Sequence, residues 1–130
     1  LMLAIANSNK DRCLDTVKLL INNGTNINNK NEDHFTPLML AIYLPKSKNK
    51  RCNVEIVKVL IKAGANVNCT DNHNRSVLMF AVMKNNVETV DILIKAGADV
   101  NCIDDDKQTA STLAIKNMEL YAISIGIHAQ

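Results

Sequence analysis

Aromatic residues are scarce in this chain of 130 residues, which has no tryptophan, two phenylalanines and two tyrosines. Proteins that bind single-stranded nucleic acid stack the bases on aromatic rings, but the basic stretch Lys46–Arg51 has only Tyr43 near it. The net charge of +2 is too small to indicate binding to nucleic acid or to an anionic membrane. The composition therefore disfavours nucleic acid as a partner.

Long apolar runs are absent as well. The longest, Val77–Met83, is far shorter than the ~18 residues that indicate a membrane-spanning helix. The apolar start, Leu1–Ile5, has no basic leader and is identical to Leu38–Ile42, which indicates that it belongs to a repeat rather than to a signal peptide. We therefore predict no membrane partner.

Motifs of catalysis and cofactor binding are also missing. The sequence has no nucleotide-binding loop, nucleophile elbow or zinc-protease motif. Cys69 and His73 have the spacing of two zinc ligands, but no second pair completes a tetrahedral site. Asp104–Asp106 lacks the spaced oxygen ligands and distal glutamate of a calcium loop, so a solvated turn is the better interpretation. We expect a protein that is not an enzyme, with no catalytic residue, metal ion, cofactor or small-molecule substrate.

What the chain does contain is one segment in three copies. Residues 57–69 (VKVLIKAGANVNC) and 90–102 (VDILIKAGADVNC) match closely at a spacing of 33 positions, and residues 17–28 (VKLLINNGTNIN) form a looser copy. The segment Leu1–Ile5, repeated at 38–42, has a further relative at 78–82. Self-similarity at this period indicates stacked repeat units, which present an extended surface rather than an enclosed pocket.

The sequence of each unit predicts two helices and a turn. In residues 70–102, Ser76 and Asn86 are good N-caps for two apolar helical segments. Gly97 then ends the second helix in the left-handed conformation that glycine tolerates. The second helices are apolar on more than one face, so each must lie between neighbours and the units are expected to stack. The predicted fold class is all-α.

Stacking also bears on the four cysteines, which are Cys13, Cys52, Cys69 and Cys102. Stacked helices lie ~8–10 Å apart, which exceeds the ~7 Å limit between the Cα atoms of a disulfide. We interpret the cysteines as reduced thiols of an intracellular, cytoplasmic protein.

The segment Thr36–Ala41 (TPLMLA), followed by residues 54–68 (VEIVKVLIKAGANVN), resembles the ankyrin repeat, and the resemblance covers the whole chain. It implies an all-α solenoid of about four stacked helix-turn-helix units, with hairpin loops projecting from one edge. The units are 1–29, which is partial; 30–69, which carries an insertion near 44–51; 70–102; and 103–130, which is degenerate. Because both ends are incomplete, we expect the chain to be part of a longer protein.

Four departures from the family pattern bear on these expectations. The family's histidine two residues after its proline is replaced by Met2, Met39, Met79 and Thr112, and the methionines are expected to remove a polar contact from the turn. The family's turn glycine is replaced by His34, Asn74 and Lys107. In the last unit, Met118–Ile125 is expected to be a shortened second helix. The insertions near Asn7–Arg12 and Leu44–Arg51 are either neutral loop extensions or basic contact loops.

The resemblance implies protein–protein recognition through the hairpin tips and the concave face of the first helices. Carried over by position, the partner-binding residues are Glu32, Asp33, Phe35, Tyr43, Leu44, Asn72, His73, Arg75, Met83, Lys84, Asp105, Asp106 and Gln108. Phe35 and Tyr43 are the expected anchors, because aromatic residues dominate interface hot spots. Alternatively, both rings serve only local packing.

Two other roles remain open. The repeats could form a structural spacer, or they could be targeting repeats within a larger viral or bacterial host-directed protein that acts in the host cytosol, which would fit the bias towards Asn, Lys and Ile. The resemblance also implies that Asn68 and Asn101 are candidate substrates of an asparaginyl hydroxylase.

Overall fold

The computed structural model describes residues 1–6, 13–43, 50–124 and 126. In these ranges the chain forms seven helices, and its β-structure is a single bridge between Thr70 and Ser76. The helices are α1 (Met2–Ala6), α2 (Cys13–Asn22), α3 (Pro37–Tyr43), α4 (Lys50–Lys62), α5 (Val77–Met83), α6 (Val87–Lys95) and α7 (Ala110–Ser124). The all-α fold predicted from the repeats is confirmed.

The helices form two layers. The first helices α1, α3, α5 and α7 pack side by side in that order, and the second helices α2, α4 and α6 form the other layer. The pairs α1–α2, α3–α4 and α5–α6 join the layers. The core between them includes Leu38, Ile56, Leu60, Phe80 and Leu93, all at most 1% exposed. Each unit therefore buries apolar surface both between its own two helices and against its neighbours, as expected for a solenoid.

Ser76 and Met79 form a reciprocal cap at the start of α5. The Ser76 hydroxyl accepts a hydrogen bond from the Met79 N–H at 3.2 Å, and the Met79 sulfur accepts one from the Ser76 N–H at 3.4 Å. This is the arrangement of a capping box with a thioether in place of a carboxylate. The expectation that methionine removes the polar contact is wrong here, because sulfur is itself a weak acceptor.

The last unit differs from its prediction. Instead of a short second helix at Met118–Ile125, the chain continues as one helix, α7, from Ala110 to Ser124. In the preceding unit, Asn85 takes a positive φ of 53° and Asn86 caps α6, so the chain breaks there. In α7, Asn117 is followed by Met118, Glu119 and Leu120, which are good helix formers and provide no new N-cap.

Asn117 has a different role from the asparagines that break the chain between α5 and α6. Its side-chain Nδ2 donates to the carbonyl oxygen of Val82 at 2.7 Å, and thereby fastens α7 to the end of α5. As a result, the first-helix layer has a fourth member in α7, whereas the second-helix layer of the described residues ends at α6.

Candidate recognition surface

Three hairpins link the units, and each is closed around one polar side chain. The Oδ1 atom of Asn31, Asp71 or Asp104 accepts hydrogen bonds from the backbone N–H groups two and four residues later, at 2.8–3.0 Å. The backbone N–H of the same residue donates to the carbonyl four residues later, at 2.9–3.0 Å. These repeated hydrogen bonds give the three hairpins the same shape.

The residue that closes each hairpin lies in the left-handed region. The φ angles of His34, Asn74 and Lys107 are 63°, 58° and 59°. Asparagine adopts this region more readily than lysine, but the hydrogen bonds at Asp104 match those of the other two hairpins. The three residues that replace the family's turn glycine therefore adopt the positive φ that the turn requires.

The hairpin geometry points two side chains of each tip into solvent. These exposed residues are Glu32, Asp33, Asn72, His73, Asp105 and Asp106. The second and third hairpins are also joined, because Asn74 Nδ2 donates to Asp105 Oδ1 at 2.8 Å and the Asp105 N–H donates to the His73 carbonyl at 3.0 Å. Asp105, a predicted partner-binding residue, thus also fixes the spacing of two tips.

Arg75, at the base of the second hairpin, is held by an ion pair. Its Nη2 lies 2.7 Å from Asp71 Oδ2, and its Nε donates to the same oxygen at 2.8 Å. The Asp71 side chain is 1% exposed, whereas that of Arg75 is 30% exposed. Burial by itself raises the pKa of Asp71. This effect is outweighed by hydrogen bonds from the Arg75 side chain and from the backbone N–H groups of Arg75 and His73, together with the guanidinium charge. The pKa of Asp71 is therefore lowered from its ordinary value.

We expect Asp71→Ala to lower the free energy of unfolding by about 1.5–3 kcal/mol, because a charged acceptor of several hydrogen bonds is lost. Asp71→Asn is the matched control, since Asn31 closes the first hairpin with the same Oδ1 acceptor; it should cost less. The pKa of Asp71 is lower in the folded state, so its stabilisation is present above the ordinary Asp pKa of ~3.9 and is lost as the pH falls through the folded-state pKa.

Urea unfolding at about pH 7 and about pH 3 measures these differences. The gap between wild type and Asp71→Asn should narrow at the lower pH, because Asp71 of the unfolded wild type then binds a proton, which reduces the stabilisation that comes from its lowered folded-state pKa. An Asn variant as unstable as the Ala variant at both values would contradict the role given to the Oδ1 acceptor.

Three of the chain's four aromatic residues pack together beside Arg75. Phe35, Tyr43 and Phe80 contact each other edge to face, with ring centroids 5.4–5.6 Å apart. Phe80 is fully buried, Phe35 is partly buried and Tyr43 is 38% exposed. The two rings therefore pack locally, and Tyr43 also presents surface to solvent. That they anchor a partner remains a prediction.

Two cations lie against this cluster. The Arg75 guanidinium carbon is 5.2 Å from the Phe80 ring centroid, and Lys84 Nζ is 4.9 Å from that of Tyr43. Both distances are in the range of cation–π attraction. Lys84 makes no ion pair with a carboxylate in the described part of the chain, whereas the charge of Arg75 is balanced by Asp71.

The predicted partner-binding residues fall into two groups. Phe35, Tyr43, Arg75 and Lys84 are brought together around Phe80, and Met83 is 41% exposed next to Lys84. The other group lies in the hairpins: Glu32, Asp33, Asn72, His73, Asp105, Asp106 and the partly buried Gln108. Leu44 and most of the two insertions lie outside the described residues. That all of these bind a partner remains a prediction.

Sequence reasoning missed Phe80 and Asp71 as residues that shape this surface. Phe80 sits in the apolar stripe of α5, where Leu40 occupies the same repeat position in α3, and so it reads as ordinary core. The available signal in the sequence was its aromatic ring, because the chain has only two phenylalanines. For Asp71, the signal was the recurrence of Asn or Asp four residues before Phe35, Arg75 and Gln108.

The candidate hydroxylation sites have different surroundings. Asn68 is exposed, but its Nδ2 donates to the Gly97 carbonyl at 3.3 Å and its Oδ1 accepts from the Asp99 N–H at 2.7 Å. The exposed Asn101 side chain makes no hydrogen bond with the described residues, and only its backbone N–H is bonded, to Asp99 Oδ1. Hydroxylation of either residue remains a prediction.

Cys69 and His73, which have the spacing of two zinc ligands in the sequence, have different surroundings in the structure. Cys69 is buried, with Sγ 3.4 Å from Thr36 Oγ1 and 3.2 Å from the Asn66 carbonyl oxygen, and burial raises the pKa of its thiol. His73 is exposed at a hairpin tip. Among the residues that the structure describes, no three His, Cys, Asp or Glu side chains gather as metal ligands, and no helix is both long and apolar enough to span a bilayer.

Comparison with known proteins agrees with this architecture. A family model described as ankyrin repeats (3 copies) matches residues 1–71 and 46–125. The comparison with curated proteins gives no match. Ankyrin repeats are generally non-enzymatic modules of protein–protein interaction. Since the family model and the stacked helix pairs both extend over nearly the whole chain, this protein belongs to the ankyrin repeat family.

Proposed function

We propose that the protein binds a partner protein through a recognition surface made of Tyr43, Met83 and Lys84 together with the hairpin tips. The observation that carries the proposal is the pair Tyr43 and Met83. These large side chains occupy the same repeat position at the ends of the adjacent helices α3 and α5, and they are 38% and 41% exposed. Exposed rigid aromatic groups next to flexible methionine are typical of interface centres.

The cluster beneath this surface favours binding because it is ordered in advance. Tyr43 rests against Phe35 and the buried Phe80, so little side-chain freedom remains to be lost on association. Arg75 is fixed between Asp71 and Phe80 and supports the cluster rather than presenting a free charge. Phe35 and Arg75 are therefore positioning residues, and Tyr43 and Met83 are the contact residues.

The charges suggest the chemistry of the partner. Lys84 has no carboxylate neighbour among the described residues, so a partner carboxylate could pair with it beside an apolar side chain seated on Tyr43. The tips carry the acids Glu32, Asp33 and Asp106, which suit basic groups further along the partner. The partner would thus be a protein segment of mixed charge, and neither a small molecule, a membrane nor a nucleic acid is part of this proposal.

The proposal includes an intracellular, cytoplasmic location and no catalytic activity. Cys69 and Cys102 are free thiols, which suits a reducing compartment. The family's general role in binding proteins supports the absence of catalysis.

A matched pair of triple variants tests the surface. The test variant carries Tyr43→Ala, Met83→Ala and Lys84→Glu. The control carries Leu19→Ala, Val100→Ala and Lys62→Glu, which change two exposed apolar residues and one exposed lysine elsewhere in the stack. Both variants and the wild type are used to capture proteins from a cell lysate, after their unfolding curves have been compared.

Proteins held by the wild type and the control, but lost from the test variant, are the expected result. Once such a protein is identified, Tyr43→Ala alone should weaken its binding by about 2 kcal/mol or more, as for a hot-spot residue. Equal capture by both variants would reject the recognition surface. Absence of specific capture by the wild type would favour the spacer role.

A further inference from the structure

The turn that ends α2 contains an asparagine followed directly by a glycine. Of all the asparagines in the sequence, only Asn23 has this neighbour, and Gly24 takes a φ of 82°. Both residues are exposed to solvent. Such a pair is chemically labile, because glycine has no side chain to keep its backbone nitrogen away from the preceding side-chain amide.

The other second helices end in turns of the same shape that lack this amide. Their residues are Ala63–Gly64 after α4 and Ala96–Gly97 after α6, and the two glycines have φ angles of 98° and 96°. In all three turns the glycine N–H donates to the carbonyl three residues earlier at 3.0–3.2 Å, and the next N–H donates to the carbonyl five residues earlier at 2.9–3.3 Å. The turn after α2 therefore differs in having asparagine where the others have alanine.

The Asn23 side chain has a structural role in this turn. Its Nδ2 donates to the Leu19 carbonyl at 2.7 Å, which satisfies one of the carbonyl groups left free at a helix C-terminus. The Gly24 N–H donates to the Ile21 carbonyl at 3.2 Å. The side-chain amide and the backbone nitrogen that could react with it are thus each held by a hydrogen bond to the helix. Both bonds must break before the two groups can meet, and helix ends are where local opening is easiest.

We propose that Asn23 is a site of spontaneous deamidation, and that opening of the last turn of α2 sets its rate. The Gly24 nitrogen gives its proton to a solvent base and attacks Cγ of Asn23. The new N–Cγ bond closes a five-membered succinimide, while the Cγ–Nδ2 bond breaks and Nδ2 leaves as ammonia with a proton from solvent. Water then adds to either carbonyl carbon of the ring and opens it to aspartate or isoaspartate. The reaction consumes only water, and nothing is oxidised or reduced.

Either product weakens the connection between the first and second units. The donor to the Leu19 carbonyl is lost, and a carboxylate appears at the C-terminus of α2, where the helix dipole disfavours negative charge. Isoaspartate also lengthens the main chain by one methylene. The same turn continues to Asn28, whose side chain bonds the Gly64 carbonyl and the Asn66 N–H at 3.3 and 2.8 Å. Deamidation therefore loosens the first unit irreversibly, because ammonia is lost.

The rate of the reaction tests the role of the fold. The 130-residue chain is kept at about physiological temperature and pH, and peptide mass spectrometry follows the loss of each side-chain amide. A synthetic peptide of residues 18–29 gives the rate without the fold. We expect Asn23 of the folded chain to react about ten- to a hundredfold more slowly than Asn23 of the peptide, because only the opened turn reacts. Asn22, which is followed by asparagine, should react more slowly than Asn23 in both.

Two substitutions outside the turn separate opening from chemistry. Val17 is 0% exposed, so Val17→Ala weakens the packing of α2 and should raise the rate at Asn23 by about threefold or more. Leu19→Ala is the matched control, since that side chain is 64% exposed and its carbonyl oxygen is retained; the rate should not change. Circular dichroism shows whether each variant keeps its fold.

A second pair of variants measures the effect of the product. Asn23→Asp imitates the aspartate product. Asn22→Asp places the same charge at the same helix end, but the exposed Asn22 side chain makes no hydrogen bond with the described residues. Asn23→Asp should therefore shift the equilibrium towards the unfolded state by about two- to tenfold more than Asn22→Asp. Urea unfolding measures both.

Four outcomes would overturn the proposal. Equal rates in the folded chain and the peptide would show that the turn does not control the reaction. Retention of the Asn23 amide in the folded chain after about a hundred half-lives of the peptide would show that the turn does not open enough to react. The others are a loss of amide at Asn22 as fast as at Asn23, and a rate in Val17→Ala no higher than in Leu19→Ala. The proposed recognition surface takes no part in these measurements, so the two proposals are tested separately.

Discussion

Replacing Phe80 with alanine is expected to lower the free energy of unfolding by about 3–5 kcal/mol, the range for truncating a buried phenylalanine. Phe80 is 0% exposed and lies at the centre of the stack between the second and third units. Its removal leaves a cavity that α3 and α5 can only partly close, because helix backbones move as rigid elements.

Removal of the Phe80 ring is also expected to affect partner binding. Phe80 makes edge-to-face contacts with Phe35 and Tyr43 at centroid distances of 5.6 and 5.5 Å, each worth about 0.5–1.5 kcal/mol beyond the area buried. Without this ring, Tyr43 loses its support and Arg75 loses the ring face against which it lies. Partner binding should therefore weaken even where the variant remains folded.

The control is Phe80→Leu, because Leu40 and Leu113 occupy the same repeat position in α3 and α7 and are 8% and 9% exposed. This change keeps an apolar side chain and removes the ring, and should cost about 1–1.5 kcal/mol. Urea unfolding followed by circular dichroism measures both variants. If Phe80→Ala lies within about 1 kcal/mol of the wild type, the central position given to this residue is wrong.

The helices of the complete units could be predicted because their signals are local. Ser76, Asn86 and Gly97 begin or end helices through hydrogen bonds to residues at most a few positions away. Repetition multiplies such signals, since the same cap or turn recurs in register. The layered stack then follows from helices that are apolar on opposite faces.

The proposed recognition surface could be predicted less well from the sequence, because its residues come from different units. Phe35, Tyr43 and Phe80 meet only when α3 and α5 lie side by side in one register. Phe35 and Tyr43 could be singled out from the sequence because aromatic residues dominate interface hot spots. Nothing in the sequence indicated that Arg75 pairs with Asp71, whereas Lys84 makes no ion pair among the described residues.

Two expectations were wrong for identifiable physical reasons. The loss of the histidine was expected to remove a polar contact, but the Met79 sulfur accepts the Ser76 N–H. The last unit was expected to break into two helices, but Asn117 bonds to Val82 in the neighbouring helix instead of capping a helix of its own. In both cases a side chain forms a hydrogen bond that the family's repeat pattern does not contain.

Leu60→Ala is expected to lower the free energy of unfolding by about 2–5 kcal/mol. Leu60 is 0% exposed in α4, the second helix that has neighbours on both sides. In a repeat protein, stability is close to a sum of unit terms and nearest-neighbour interface terms. A cavity in α4 weakens the contacts with both α2 and α6, so it affects more of the stack than a cavity at either end.

The same repeat position provides the control, because leucine occurs there three times. Leu93 is also 0% exposed, in α6, whereas Leu20 in α2 is only partly buried. Leu20→Ala removes less buried area and disturbs one interface, so it should cost about 1–2 kcal/mol. Urea unfolding curves of the three variants should therefore rank Leu60→Ala as the least stable and Leu20→Ala as the most stable.

The slope of the transition provides a second readout. If the Leu60 cavity uncouples the units on its two sides, unfolding is no longer all-or-none, and the apparent m value falls below that of the wild type. Leu20→Ala, at the end of the second-helix layer, should shift the midpoint and leave the slope unchanged. If Leu20→Ala and Leu60→Ala lower the free energy of unfolding equally, this argument is wrong. The two second helices beside α4 would then stabilise it no more than the single one beside α2 stabilises α2.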